Sequence, residues 1–221
     1  MSSAYYAGMR KGRASAQFAK RQAGVRARAM ARKHRPLSRK DVKRIVKGMA
    51  EKKFYTTQSN NTYDFSGSFI RLAEIAEGSG VDQREGDTIE VNRVDLHFQV
   101  AKADTNNTVR FIVFSKETNV QPTSATEILE STSQYAIISE YQQERLYSFK
   151  VLYDKCVTVN ADKEVSPVYN VSIPMKIKCK FSGATSISAG SRDLWLLIIS
   201  DSGAATHPSV LLRTNTKFTD L

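Results

Sequence analysis

Twelve of the first forty residues are cationic and none is acidic: Arg10, Lys11, Arg13, Lys20, Arg21, Arg26, Arg28, Arg32, Lys33, Arg35, Arg39 and Lys40. Eight of them are arginines, whose planar guanidinium forks make paired hydrogen bonds to phosphate oxygens that a lysine point charge does not. The chemistry they favour is noncovalent capture of a polyphosphate chain. Tyr5, Tyr6 and Phe18 add rings that could stack on unpaired bases. Few large apolar side chains are interspersed, so the segment is expected to stay disordered until something binds it. The same composition also describes a mitochondrial transit peptide or a solubilising tail. The cluster Arg32-Lys33-His34-Arg35-Pro36 through Arg39-Lys40 has the make-up of a nuclear localisation signal.

Covalent chemistry has far less to work with. The three histidines, His34, His97 and His207, fall on the arm, on the polar face of a strand and in a loop, and neither Cys156 nor Cys179 has a histidine near it in sequence. Nothing proposes a nucleophile and base, so neither an enzyme nor a small-molecule substrate is expected. The two cysteines read as reduced thiols inside the fold, too few for a disulfide scaffold or a zinc knuckle. The carboxylates Glu74, Glu77, Asp82, Glu85 and Asp87 could bind calcium between subunits. Scattered surface acids explain them equally well, and no cofactor is expected. No run approaches the 18 apolar residues of a membrane span, and the first thirty residues lack a secretory signal. A soluble, intracellular protein without membrane contact follows, with the sequons at Asn60, Asn106 and Asn170 left unmodified.

The total charge of +11 over 221 residues conceals a division. Residues 1–53 hold 17 Lys and Arg against Asp41 and Glu51, a net +15, so the rest of the chain is net −4. Two parts are expected: a nucleic-acid-binding arm over 1–52 and a folded domain over 53–221. Within the arm, Ser38 and Asp41 have capping-box spacing, and Val42, Ile45, Val46 and Met49 recur at helical intervals. The pattern predicts an amphipathic helix over 38–50. Its apolar stripe docks on the domain or on symmetry mates, and Lys43, Arg44 and Lys47 face away toward phosphate.

From Lys53 onward eight strand signals appear, at 53–65, 88–103, 109–115, 145–153, 155–160, 168–181, 193–200 and 209–218. In 169–181 every odd residue is apolar and the even ones are Asn170, Ser172, Pro174, Lys176, Lys178 and Lys180. This is a half-buried antiparallel strand, and Pro174 puts it at a sheet edge. Lys176, Lys178 and Lys180 then either guard that edge or extend the phosphate-binding surface. Runs 109–114, apart from Arg110, and 194–199 are continuously apolar, so both faces of those strands should be covered, by the rest of the domain or by another subunit. A switch of the apolar set within 88–103 implies a bulge near Asn92-Arg93. Two long connections remain: 66–87, with a helical turn over Phe69 to Gly78, and 116–144, with Ser124 to Glu127 capping Ile128-Leu129. An all-β, two-sheet jelly roll fits these features better than a closed barrel, which has no edge.

The carrying features are the arm, Leu72-Ala-Glu-Ile75 with Gly78, Arg84-Glu-Gly-Asp-Thr-Ile89, Val109 to Phe114, Arg145 to Lys155, Leu194 to Ile199 and the terminal Phe218-Thr-Asp220. Together they resemble the single jelly-roll capsid proteins of small viruses. Within that group the chain is most similar to those of circular single-stranded DNA (CRESS-DNA) viruses and of satellite tobacco necrosis virus. The resemblance implies eight strands named B to I in chain order, with sheets B-I-D-G and C-H-E-F. It also implies self-assembly into an icosahedral shell, sixty copies being the expected number, around a single-stranded genome, DNA favoured over RNA. The implied location is the virion, with a host-nuclear stage during assembly. Sixty arms would bring on the order of 700–900 positive charges to the lumen. The competing reading is a cellular nucleic-acid-binding β-sandwich with a basic tail.

Overall fold

The computed structural model describes Ser38, Arg39, Asp41, Val42 and residues 51–221 apart from 119, 134, 184–188 and 204–205. The chain divides into two units, Met1–Met49 and Ala50–Leu221. In the first, the expected capping box is formed. The Asp41 amide donates to Ser38 Oγ at 3.2 Å, the Ser38 amide donates back to Asp41 Oδ2 at 3.0 Å, and the Val42 amide closes a helical turn on the Ser38 carbonyl. Lys40 and residues 43–50 of the expected helix lie outside the described residues, as does the arm before Ser38.

The second unit consists of nine strands: β1 (Lys52–Thr62), β2 (Ser68–Arg71), β3 (Thr88–Ala101), β4 (Asn107–Lys116), β5 (Phe149–Val159), β6 (Tyr169–Phe181), β7 (Ala189–Ser191), β8 (Asp193–Ser200) and β9 (Ser209–Asp220). They form two antiparallel sheets, ordered β1-β9-β3-β6-β7 and β2-β8-β4-β5. Without the short β7, these are the two four-stranded layers of a jelly roll, B-I-D-G and C-H-E-F. The fold is all-β.

Alternation decides which sheet face is wet. Along β6 every even residue is exposed while Ile173, Cys179 and Phe181 are buried, as the sequence pattern requires. Pro174 sits on the open edge of β6, because β7 pairs only with Lys180 and Phe181. The bulge in β3 falls between Val91 and Arg93. Between the sheets lies the main core, with Leu96, Phe98 and Val100 of β3 facing Val109, Phe111 and Val113 of β4 and Leu196 and Ile198 of β8. Phe98 stacks on Phe111 with centroids 4.1 Å apart.

The buried strands β4 and β8, apolar along their middles apart from Arg110, serve two cores. Their other face carries Ile112, Phe114, Trp195, Leu197 and Ile199, which pack under Ala125, Ile128, Leu129 and Ala136 of the connection between β4 and β5. The cover is the domain's own loop. Ser124 caps the 3-10 turn Ala125–Glu127 that starts it.

Four expectations are corrected. Runs 145–153 and 155–160 are a single strand, β5. The helical turn expected over 69–78 begins instead as β2, which pairs with β8 from Ser68↔Ile198 to Arg71↔Trp195. Gly67 makes that entry possible: at φ 73° it turns the chain where a Cβ would lie 3.2 Å from the Ile198 carbonyl. These two changes shift the strand letters, so 88–101 is strand D inside the first sheet and 107–116 is strand E inside the second. Finally, Cys179 is buried but Cys156 is exposed, because even-numbered residues from Asp154 to Thr158 on β5 face away from the core.

Candidate nucleic-acid interface

Of the eighteen residues expected to contact phosphate, the structure describes Arg39, Lys176, Lys178 and Lys180, and all four are exposed. Arg10, Lys11, Arg13, Lys20, Arg21, Arg26, Arg28, Arg32, Lys33, Arg35, Lys40, Lys43, Arg44 and Lys47 lie outside the described residues. The three lysines of β6 share one sheet face, about 6.6 Å apart along the strand at 3.3 Å per residue.

Register shows what accompanies them. Residues paired across neighbouring strands point to the same side, so the rows of this face run Phe54–Lys217–Arg93–Pro174, Thr56–Asn215–Asp95–Ser172 and Gln58–Arg213–His97–Asn170. A further row holds Lys52, Thr219, Glu90 and Lys178. The sheet thus presents Lys52, Arg93, Arg213 and Lys217 beside the three lysines. Among the carboxylates of these rows, Glu90 is buried and Asp95 lies between two cations, 2.8 Å from Lys217 Nζ and 3.3 Å from Arg93 Nε. Burial pushes the Asp95 carboxyl up. Hydrogen bonds from Lys217 and Ser172 and the charge of Arg93 outweigh this and hold it below the ordinary carboxylate range.

Arg93, Arg213 and Lys217 were not singled out by sequence reasoning. The signal was available, since β9 alternates Leu212, Thr214, Thr216 and Phe218 inward against Leu211, Arg213, Asn215 and Lys217 outward.

The opposite broad face of the sandwich has the other sign. The loop covering β4 and β8, residues 117–148, contains Glu117, Glu127, Glu130, Glu140 and Glu144 against Arg145 alone, a net −4 that matches the whole deficit of residues 54–221. Charge is therefore segregated between the two faces. Two buried cations of β4 hold the acidic loop, and one of them, Lys116, pairs with Glu127 at 2.7 Å. Arg110 of β4 donates through Nη1 to the carbonyls of Ala136, Ile137 and Ser139, and through Nε and Nη2 to both oxygens of Asp154 at 3.0 and 2.7 Å.

Three of the five acids considered for calcium are engaged within the chain. Glu85 accepts from buried Lys53 at 2.9 Å, and Glu77 and Asp87 face the fully buried Arg84 at 3.3 and 3.7 Å. Among the described residues no three His, Cys, Asp or Glu side chains group as metal ligands. His97 stands on the exposed face of β3, with Nδ1 against Asn170 Oδ1.

Known proteins similar to this chain are viral coat proteins. The family model of the satellite tobacco necrosis virus coat protein matches residues 21–221. The coat protein of Maize white line mosaic satellite virus is 27% identical over 201 residues, 84% of this chain and 90% of that one. The coat protein of Satellite tobacco necrosis virus 2 is 32% identical over 68% of this chain and 77% of its own length. The capsid protein of Satellite tobacco necrosis virus 1 is 27% identical over 73% and 84%. The chain belongs to the satellite tobacco necrosis virus coat protein family, and is a viral capsid protein of the virion, structural rather than catalytic.

Proposed function

We propose that copies of this chain close into an icosahedral shell of sixty subunits that packages single-stranded nucleic acid. Residues 1–52 act as the phosphate-neutralising arm, and the basic face of the β1-β9-β3-β6 sheet acts as a second, rigid phosphate-binding surface. The observation that carries the reading is the segregation of charge. A net +15 lies in the first 53 residues and seven cations, Lys52 counted in both, on one sheet face, while the loop over the other face is net −4. A polyanion held inside a shell needs such polarity, because counterion release rewards every phosphate neutralised and like charge repels cargo from the wrong face. Contacts of this kind position a strand without reading its sequence, so packaging is sequence-tolerant and salt-labile.

Phosphate contacts do not choose between DNA and RNA. The preference for DNA and the host-nuclear stage, drawn from the likeness to circular single-stranded DNA viruses, find no support in the satellite-virus relatives. The test is electron microscopy of purified full-length protein, with extraction of co-purified nucleic acid and its digestion by RNase or DNase. Closed particles with nuclease-sensitive cargo are expected, and the digestion identifies the cargo. Monomers or small oligomers that bind nucleic acid would overturn the reading in favour of a cellular nucleic-acid-binding sandwich.

A further inference from the structure

The basic sheet face is not uniformly polar. Where β1, β9 and β3 run past the start of β6, it opens into a depression of about 460 Å³, walled by Gln58, His97, Gln99, Val168, Leu211 and Arg213. That volume lies within the range of pockets that take small organic groups. Leu211 and Val168 are 59% and 60% exposed. Leu211 is the one apolar member of the outward series Leu211, Arg213, Asn215 and Lys217, and neither it nor Val168 belongs to the two buried cores. Apolar walls on a face of cations suit a ligand that is itself flat and apolar on its faces, polar at its edge and tethered to an anion.

We propose that this depression is a nucleobase subsite: one unpaired base of the packaged strand lies against Leu211, Val168 and the His97 ring, and Arg213 holds the adjoining phosphate. The inference rests on the packaging function proposed above. His97 is held by its Nδ1 contact to Asn170, leaving the ring face for stacking. Gln99 is likewise fixed, its Nε2 donating to the Ser166 carbonyl at 2.9 Å. The Gln58 side-chain amide can donate or accept and so meets the edge of any base. Arg93 and Lys217 lie in the row two pairs along, about 13 Å from Arg213 at 3.3 Å per residue, in position for the continuing backbone. Charge complementarity selects the polyanion, and the apolar walls select its bases over its phosphates.

The test uses the full chain and two strands of equal length and charge, an oligonucleotide and an abasic sugar-phosphate oligomer. In the double variant Val168→Ser, Leu211→Ser both changes fall on exposed side chains outside the core. It is expected to lose about tenfold in affinity for the oligonucleotide and nothing for the abasic strand, with an unchanged salt slope, as removal of one stacked base requires. Photo-crosslinking of an oligonucleotide bearing 5-iodouracil, followed by peptide mapping, is expected to mark the segment containing His97 in the wild type and to fade in the variant. Equal losses on both strands, or no loss on either with crosslinks elsewhere, would overturn the subsite and leave packaging intact. Failure of the wild type to bind either strand would overturn the packaging function and the subsite together.

Discussion

Replacing Arg110 with Ala removes the side chain that makes the most hydrogen bonds between the acidic loop and its sheet, while Lys116 keeps its ion pair with Glu127. Three loop carbonyls lose their donor, at about 1 kcal/mol each for a typical hydrogen bond, and a two-pronged ion pair to Asp154 is lost as well. Breaking a fully buried pair costs about 3–5 kcal/mol. Asp154 keeps access to water, so its share is nearer the ~1 kcal/mol of an exposed pair. The expected total is ~3–4 kcal/mol, a few hundredfold in the equilibrium for lifting the loop at 1.4 kcal/mol per factor of ten. Lifting it exposes Trp195, Leu197 and Ile199, so the loss should appear first as local opening rather than global unfolding. Hydrogen exchange reads this directly. The amides of Gln142 and Glu130, which donate to the Ile128 and Glu140 carbonyls, should lose protection by that factor while the amides of β3 keep theirs. Arg110→Lys, which keeps the charge without the fork, should fall between. Protection of Gln142 and Glu130 within threefold of wild type in the alanine variant would refute the reasoning.

Converting Lys176, Lys178 and Lys180 together to Gln should leave folding intact, since all three are exposed, and flatten the salt dependence of nucleic-acid binding by about two in logarithmic slope. An unchanged slope with increased aggregation would assign them to edge protection alone. Deleting residues 1–37 should leave a folded β domain by circular dichroism, because β1 starts at Lys52, and should sharply reduce the nucleic acid carried. Asp154 and Asp95 differ from ordinary carboxyls in the same direction. Burial raises both, but Arg110 and Tyr141 at the first, and Lys217, Ser172 and Arg93 at the second, lower them further. A folded carboxyl below its unfolded value adds stability fully present above about pH 4 and lost as pH falls through the folded value. Acid melts of Asp95→Asn should therefore run lower at neutral pH and converge on wild type under acid. Tyr141, pushed up to about 12 by burial and by its hydrogen bond and charge contact with Asp154, should titrate closer to 10 in Asp154→Asn, a shift that NMR can follow.

How far the sequence discloses this molecule depends on where each structural choice is made. The alternation of 169–181 and the bulge after Val91 are legible because burial of one face of a strand is written residue by residue. The continuous runs in β4 and β8 announce two covered faces, but they do not say what covers them. That is decided by Ile128, Leu129 and Ala136, far away in the chain. Strand β2 leaves almost no trace, because four residues, Ser-Phe-Ile-Arg, carry too little pattern and take their conformation from β8 and the turn at Gly67. Missing it, and splitting β5 at Asp154, displaces three strand assignments although the two sheets were named correctly. The basic face was half legible. The lysines of β6 stand out on one strand, whereas Arg93, Arg213 and Lys217 join them only through the pairing of β3 and β9.

The pairing of β1 with β9 has a practical corollary at the ends of the domain. Lys52, where β1 begins, lies opposite Thr219, two residues before Leu221, on the neighbouring strand. Adjacent strands are about 4.8 Å apart, so a peptide fused after Leu221 starts almost where the basic segment leaves the sheet. Whichever side of a shell receives the one receives the root of the other. In the shell proposed above, with the basic segment inside, a guest enzyme or fluorescent protein joined at that terminus would be loaded by genetic fusion alone, with particle diameter setting how many copies fit and the resident cations competing for any acidic guest.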